Sequence, residues 1–281
     1  MIKSGLLKDK VVIITGGAGV LGGAFCRGLG EQGAKLAILD LNLEAALKAA
    51  KSLQDLGIVA QGFECNVLKK ESIEVAREAV NETFGTCDIL INGAGGNHPK
   101  GTTSKDHYEM GDENLEGVAS FFDLDQAGIE FVFNLNFLGT LLPTQVFAKD
   151  MLIKEEPCII NISSMNAFTP LTRIPAYSGA KAAISNFTKW LAVHFAKTNI
   201  RVNAIAPGFF ETSQNYKLLH NDDGTYSARA NKILAATPMS RFGDPSELIG
   251  TLIFLCDKEA SGFVNGVVIP VDGGFSAYSG V

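Results

Sequence analysis

Tyr177 and Lys181 stand four residues apart in Tyr177-Ser178-Gly179-Ala180-Lys181, and on a helix such a pair shares one face. A phenol is a poor acid or base at neutral pH because its ordinary pKa is about 10, but a nearby ammonium favours the phenolate. The pair could then pass a proton to or from a carbonyl or alcohol oxygen. Ser164 lies thirteen residues before Tyr177, just past an apolar run, and its hydroxyl could hold that oxygen by a hydrogen bond. A tyrosine and a lysine at this spacing also arise by chance in many helices. Their meaning depends on what else the chain carries.

A second chemistry lies near the N-terminus, in Thr15-Gly16-Gly17-Ala18-Gly19-Val20-Leu21-Gly22. Gly17, Gly19 and Gly22 spell G-x-G-x-x-G between an expected strand and an expected helix. Glycines there permit a tight turn and close backbone approach to a pyrophosphate, which sits on the helix N-terminus. Asp40 ends the next strand-like run, 18 residues past Gly22. A carboxylate at that place accepts the hydroxyls of an adenosine ribose and repels a 2′-phosphate. Leu41, Asn42 and Leu43 follow it and supply no cation, so NAD(H) is the expected cofactor. A plain reading of Asp40 as a surface helix cap is compatible with this one.

The elements that must position these groups show in the periodicity. Short β-branched runs at 11–14, 35–39, 59–63, 88–91, 158–162, 201–206 and 267–269 alternate with amphipathic stretches near 20–32, 42–55, 69–84, 131–154, 176–198 and 244–257. Continuous apolar strands separated by helices predict an α/β fold, with a parallel seven-stranded sheet and helices on both faces. No repeat or composition break divides the chain, so 1–281 reads as one doubly wound, Rossmann-type domain. Two stretches interrupt the alternation: a substrate-side insert at 96–130 and a lid loop at 207–230. Both follow strand ends, where open α/β sheets bind ligands.

Composition narrows the class. The chain has 281 residues, 24 Lys and Arg against 30 Asp and Glu, and a net charge of −6. The absence of a basic block argues against nucleic acid as a partner. An acidic substrate would need a local positive pocket inside an acidic molecule. The five cysteines are scattered and never form C-x-x-C, and the four histidines have no ligand spacing. Neither a disulfide framework nor a metal site is expected, and a reducing, cytoplasmic setting is. No unbroken apolar run approaches the roughly 20 residues of a membrane span, and the run after Lys3, Lys8 and Lys10 is too short for a signal peptide.

Taken together, the motifs resemble those of the short-chain dehydrogenase/reductase family over nearly the whole chain. The matching pieces are residues 15–22, Asp40, Asn92-Gly93-Ala94-Gly95, Asn136, Ser164, Tyr177, Lys181, Pro207-Gly208, Thr212 and Asp272-Gly273-Gly274. The resemblance implies a catalytic tetrad of Asn136, Ser164, Tyr177 and Lys181, with Asn136 holding a water that links Lys181 to solvent. It implies cofactor contacts from Gly16, Gly17, Gly19, Val20 and Leu21, and from Asp40, Asn66 and Val67. Asn92, Gly93, Ala94 and Gly95 would line the adenine ribose. Tyr177, Lys181, Pro207, Gly208, Phe210 and Thr212 would stand toward the nicotinamide.

Three positions depart from the family pattern. The glycine expected at 20 falls one place earlier, at Gly19, and Val20 stands instead. Asn66 replaces the aspartate that commonly meets the adenine amine. Gly93 replaces the second asparagine of the N-N-A-G run.

Four passages are similar to the family's D-mannonate oxidoreductase subgroup: Gly96-Asn97-His98-Pro99-Lys100, Ser164-Met165-Asn166-Ala167-Phe168, Pro207-Gly208-Phe209-Phe210 and Phe275-Ser276-Ala277-Tyr278-Ser279-Gly280-Val281. That resemblance implies a hexuronate partner, with D-fructuronate and D-mannonate interconverted. Another keto-sugar acid such as 5-ketogluconate stays open, as does a fold kept only to sense NAD. Asn97, His98, Lys100, Ser164, Asn166, Arg173 and Tyr177 are the candidate substrate contacts. Arg173 or Lys100 would meet the carboxylate, since a guanidinium can grip it with two parallel hydrogen bonds. The stretches 131–154 and 176–198 are apolar around more than one helix face, which predicts a subunit interface. The family resemblance suggests a homotetramer.

Overall fold

Most of the short apolar runs become strands buried on both sides of the pleat, as in a sheet covered on both faces, while the two edge strands, Ala60–Glu64 and Val268–Val271, are only partly buried. The computed structural model describes residues 5–212 and 215–280. Lys3, Val281 and positions 213–214 of the expected lid lie outside the described residues. In chain order the elements begin β1 (Val11–Thr15), α1 (Val20–Gly30), β2 (Lys35–Asp40), α2 (Leu43–Gln54), β3 (Ala60–Glu64), α3 (Lys70–Phe84) and β4 (Ile89–Asn92). They continue with α4 (Gln126–Phe133), α5 (Gly139–Met151), β5 (Cys158–Ile162), α6 (Pro175–His194) and β6 (Arg201–Pro207). After β6 come α7 (Tyr216–Leu219), α8 (Ala228–Ala236), α9 (Ile249–Cys256), α10 (Lys258–Ser261) and β7 (Val268–Val271).

The strand order is β3-β2-β1-β4-β5-β6-β7, and every pairing is parallel. Order reverses between β1 and β4, which pair Thr15 with Asn92 at their C-terminal ends. Ligands of open α/β sheets bind outside that reversal. Separate apolar clusters fill the two faces. One packs Phe25, Leu29 and Leu252 against β1, β2 and β5, and the other packs Ile73, Phe147 and Leu191 on the opposite side.

The largest departures from the periodicity lie in the insert and in the stretch after β6. The helix expected at 131–154 begins at Gln126, where the Asp125 carboxylate accepts the Gly128 N–H at 2.9 Å as an N-cap. The insert therefore ends at 125, and α4 passes into α5 through a π turn over Asn134–Leu138. This continuous helix, Gln126–Met151, is long and apolar enough to cross a membrane by length and composition. Here Val132, Val146, Phe147 and Met151 of it are buried in the protein. The stretch 207–230, expected as a lid loop, is not structureless among its described residues. It holds α7, runs into α8, and rests on its own apolar cluster of Leu219, Ala230, Ile233 and Phe242.

Candidate active site

The glycine turn shows what each glycine is for. Gly16 takes φ +65°, where a side chain is strained, and a Cβ there would stand 2.9 Å from the Ala94 Cα. A Cβ on Gly22 would meet the Gly16 carbonyl oxygen at 2.3 Å, so this glycine lets α1 pack onto the turn. Gly19 is the N-cap of α1 and offers no side-chain cap. First-turn N–H groups without a side-chain partner are ready donors for an anion. Helix α1 therefore starts at Val20, and the shifted glycine leaves the helix N-terminus at the strand end. Across the order reversal, the buried Thr15 hydroxyl accepts the N–H groups of Gly93 (3.1 Å) and Ala94 (3.2 Å). That ties both halves of the crevice into one rim.

Asp40 ends β2 beside this turn. Its carboxylate accepts the Ala18 N–H at 3.3 Å and the Asn42 N–H at 3.1 Å. Asn42, and not Asp40, caps α2, by accepting the Ala45 N–H at 3.0 Å. An oriented carboxylate beside an uncapped helix start and a side-chain-free cradle fits an adenosine diphosphate moiety.

Other expected contacts have different partners. The Asn66 amide oxygen accepts the Leu68 N–H at 2.9 Å, so it shapes the turn into α3. Val67 is buried against Gly139. The Asn92 amide donates to Asn161 at 2.8 Å and to Thr144 at 2.9 Å, holding β4 to its neighbours, and its buried oxygen has no hydrogen-bond partner. The Phe210 ring packs on Gly243, where a Cβ would come within 2.5 Å of it. The Phe210 side chain is thus buried, which leaves its backbone for the expected cofactor contact. The backbone of Gly208 approaches Asp272 so closely that a Cβ would lie 2.5 Å from its Cα. Thr212 and Asn215 hold one another at 2.8 and 3.3 Å ahead of α7.

At the chemical end, β5 delivers Ser163 and Ser164, and Pro175 opens α6 with its fixed φ and missing N–H. Tyr177 therefore lies in the first turn and Lys181 one turn on. Ser163 is structural: its buried hydroxyl bonds the Lys181 carbonyl at 3.1 Å and the Ser185 hydroxyl at 2.7 Å. The Ser164 hydroxyl accepts the Asn166 N–H at 3.3 Å, and the buried Asn166 amide oxygen has no partner. Lys181 is buried, and its Nζ donates to the Ile162 carbonyl at 2.8 Å. The ammonium lies 5.6 Å from the centre of the Tyr177 ring.

Asn136 is fully buried in the π turn. Its amide donates to the Gly96 carbonyl at 2.7 Å and accepts the Gly96 N–H at 3.3 Å. A Cβ on Gly95 would sit 2.7 Å from the Asn136 oxygen and 3.2 Å from Lys181 Nζ. The two side chains and the strand end converge on that glycine. The π turn is what aims Asn136 there, a use typical of such insertions.

The titration of the pair differs from the expectation. Burial raises the Tyr177 pKa, and the Ser164 hydroxyl partly offsets that by bonding the phenolate. Burial lowers Lys181 to about 8. The expected lowering of Tyr177 by the ammonium does not prevail over desolvation of the phenolate. Tyr177 is accordingly a phenol at neutral pH, with a proton to give.

The substrate-side candidates divide. The Asn97 amide donates to Thr102 at 3.0 Å, and His98 caps its own turn through the Lys100 N–H at 3.2 Å. Lys100 is exposed, with Asp125 at 3.9 Å. Arg173 takes φ +71°, and its Nε donates to Asp106 at 2.7 Å. It is thus ion-paired through Nε to a carboxylate of the same protein. Beside it opens a cavity of about 480 Å³ that reaches from Thr169 to Phe209, Lys232 and Phe275. The sequence reading missed Asp106, Arg229 and Lys232 at this cavity. The available signal was the i, i+3 spacing of Arg229 and Lys232, which puts both on one face of a helix.

The short chain dehydrogenase family model matches residues 10–223. An uncharacterized oxidoreductase of Haemophilus influenzae is 61% identical over 275 residues, covering 98% of this chain and 96% of that protein. The 5-keto-D-gluconate 5-reductase of Escherichia coli K12 is 34% identical, over 95% and 96% of the two chains. A solved structure from Haemophilus, provisionally named a D-mannonate oxidoreductase and carrying bound NAD, superposes with a TM-score of 0.94. It is 60% identical and covers 98% of both chains.

Proposed function

The chain belongs to the short-chain dehydrogenase family, and from that premise we propose that it reduces the ketone of D-fructuronate to D-mannonate with NADH. It is an NAD-dependent oxidoreductase by family and by its Asp40 rim. The substrate rests on one observation above others: the similar NAD-bound structure whose provisional name is D-mannonate oxidoreductase matches this chain end to end.

NADH, when bound, supplies the hydride that forms the new C–H bond. The protein supplies the proton and the positions. Tyr177 is a phenol with an ordinary pKa of about 10 that burial raises further, so at neutral pH it carries the proton that can pass to the ketone oxygen as negative charge develops there. Ser164 donates a hydrogen bond to the same oxygen. The tyrosinate left behind is stabilised by the Lys181 ammonium 5.6 Å from the ring centre. Asn136 and the Gly96 backbone, meeting Lys181 at Gly95, keep that ammonium in contact with a proton route. The oxidative direction reverses each step.

A second reading, reduction of 5-keto-D-gluconate, is favoured by the name of the 34% identical relative. NADH oxidation followed at 340 nm over a panel of keto-sugar acids separates the two. D-Fructuronate giving the highest kcat/KM supports the first reading, and preference for 5-keto-D-gluconate would replace it.

The reading includes assembly as a homotetramer. Trp190 and Val193 of α6 are 56% and 77% exposed beside α5, and Trp190 stacks with Phe187 and His194. An aromatic ledge of this kind is a surface that a second copy would cover.

A further inference from the structure

The cavity beside α8 carries a charge excess that no part of the proton chemistry uses. Arg173, Arg229 and Lys232 line it, and Asp106 is the one carboxylate among its lining residues. The chain as a whole has a net charge of −6. A positive cavity in an acidic protein is costly to keep through self-repulsion and is selective for an anion.

Asp106 is shared between the cations. Its Oδ1 accepts Arg173 Nε at 2.7 Å and the Thr172 hydroxyl at 3.1 Å, and its Oδ2 accepts Lys232 Nζ. Those bonds hold its carboxyl well below the usual carboxylate range, Lys232 contributing most and Arg173 next. Three separate parts of the chain meet here: the insert, the loop before α6, and the lid helix α8. The two terminal nitrogens of Arg173 and the whole guanidinium of Arg229 make no hydrogen bond among the described residues. One carboxylate thus leaves donors unspent on two arginines.

The cavity is also in the right place. Its wall begins at Thr169, five residues past Ser164, and ends on Arg173, four before Tyr177. Phe209, which follows Pro207-Gly208, and Phe275 form an apolar wall with rings 5.3 Å apart, edge to face. A ligand held at the tyrosine by its ketone would extend its far end along this wall toward the cations.

We propose that this cavity seats the carboxylate of the substrate, read by Arg229 and Lys232 of α8 together with Arg173, with Asp106 as the resident counter-ion. The inference rests on the keto-sugar-acid reading above. Arg229 supplies the planar fork that matches a carboxylate, and Lys232 a point charge. Both are on α8, which the Lys232–Asp106 bond already holds against the insert. A neutral sugar gives these cations nothing to hold. Asp106 competes with the substrate for Arg173 and Lys232, which keeps those cations paired until the substrate arrives.

The test is steady-state reduction of D-fructuronate by Arg229→Gln, Arg229→Lys, Lys232→Gln and Asp106→Asn. Arg229→Gln and Lys232→Gln should each raise KM for the keto-acid about tenfold or more, the scale of a lost charged hydrogen bond. In both, the loss should fall on the keto-acid and leave the KM for NADH near the wild type. Arg229→Lys should recover part of the loss, because it restores charge without shape. Asp106→Asn should lower KM, since it frees two cations, whereas a purely structural clasp would raise it. Unchanged KM in Arg229→Gln, or a raised KM in Asp106→Asn, overturns the carboxylate seat. If wild-type enzyme leaves D-fructuronate untouched, the substrate reading fails, and the same variants on 5-keto-D-gluconate, also a carboxylate, decide the seat.

Discussion

Lys181 is a charged group in a buried place, and its removal should stabilise the fold while ending turnover. Burial lowers its pKa from 10.5 to about 8. A lowered lysine pKa means that the folded state binds fewer protons than the unfolded state between those values. Stability therefore rises with pH through that window, and the full cost of the buried charge is present below pH 8. At 1.36 kcal/mol per pKa unit, the cost is about 3 kcal/mol near pH 7 and about 1 kcal/mol near pH 9.5. Lys181→Met keeps the length and apolar stem but removes the charge. It also removes the hydrogen bond to the Ile162 carbonyl, which offsets about 1–2 kcal/mol of the gain. The net expectation is a variant about 1–2 kcal/mol more stable near pH 7. That advantage should shrink by about 2 kcal/mol by pH 9.5. Urea melts at both pH values and one protein concentration read the difference, and groups common to both proteins cancel. A stability difference that does not change with pH would refute the argument that desolvation of the ammonium dominates this site.

Other consequences are as direct. Tyr177→Phe should reduce kcat by about 10²–10⁴-fold or more, with NADH binding by fluorescence titration intact; near-normal turnover would remove Tyr177 as the acid. Asp40→Ala should weaken NADH and narrow the NADH over NADPH preference, because the carboxylate that repels a 2′-phosphate is gone; initial rates with both cofactors show it. Gly16→Ala should impair cofactor binding and stability together, since it forces a side chain to φ +65° and into Ala94, as thermal melts with and without NADH would report. Trp190→Glu should break the proposed tetramer into smaller species by light scattering, since it puts a charge on the exposed aromatic ledge of α6.

Much of the fold was legible because its strands are apolar on both faces. A run such as Cys158–Ile162 has one stable environment, between two helix layers, and its boundaries match the sequence reading to the residue. The start of α4 was not legible from apolar spacing, since Gln126, Ala127 and Gly128 carry little of it. The Asp125 cap was the better signal. Ser164, Tyr177 and Lys181 are brought together because a strand end and a helix start fix them locally. The sign of the Tyr177 shift was not legible, since it depends on how completely the site excludes water. Nor was the pairing of Arg173: Asp106 stands 67 residues away in sequence. Lys232 reaches the same carboxylate from 126 residues away. Charges that meet across such separations leave no local pattern.

The most direct test of the account uses NADH deuterated at its transferable position, with D-fructuronate and wild-type enzyme. The account predicts one D-mannonate formed per NADH consumed, with deuterium on the carbon that carried the ketone. No NADH consumption with D-fructuronate, alongside turnover of 5-keto-D-gluconate, would contradict it.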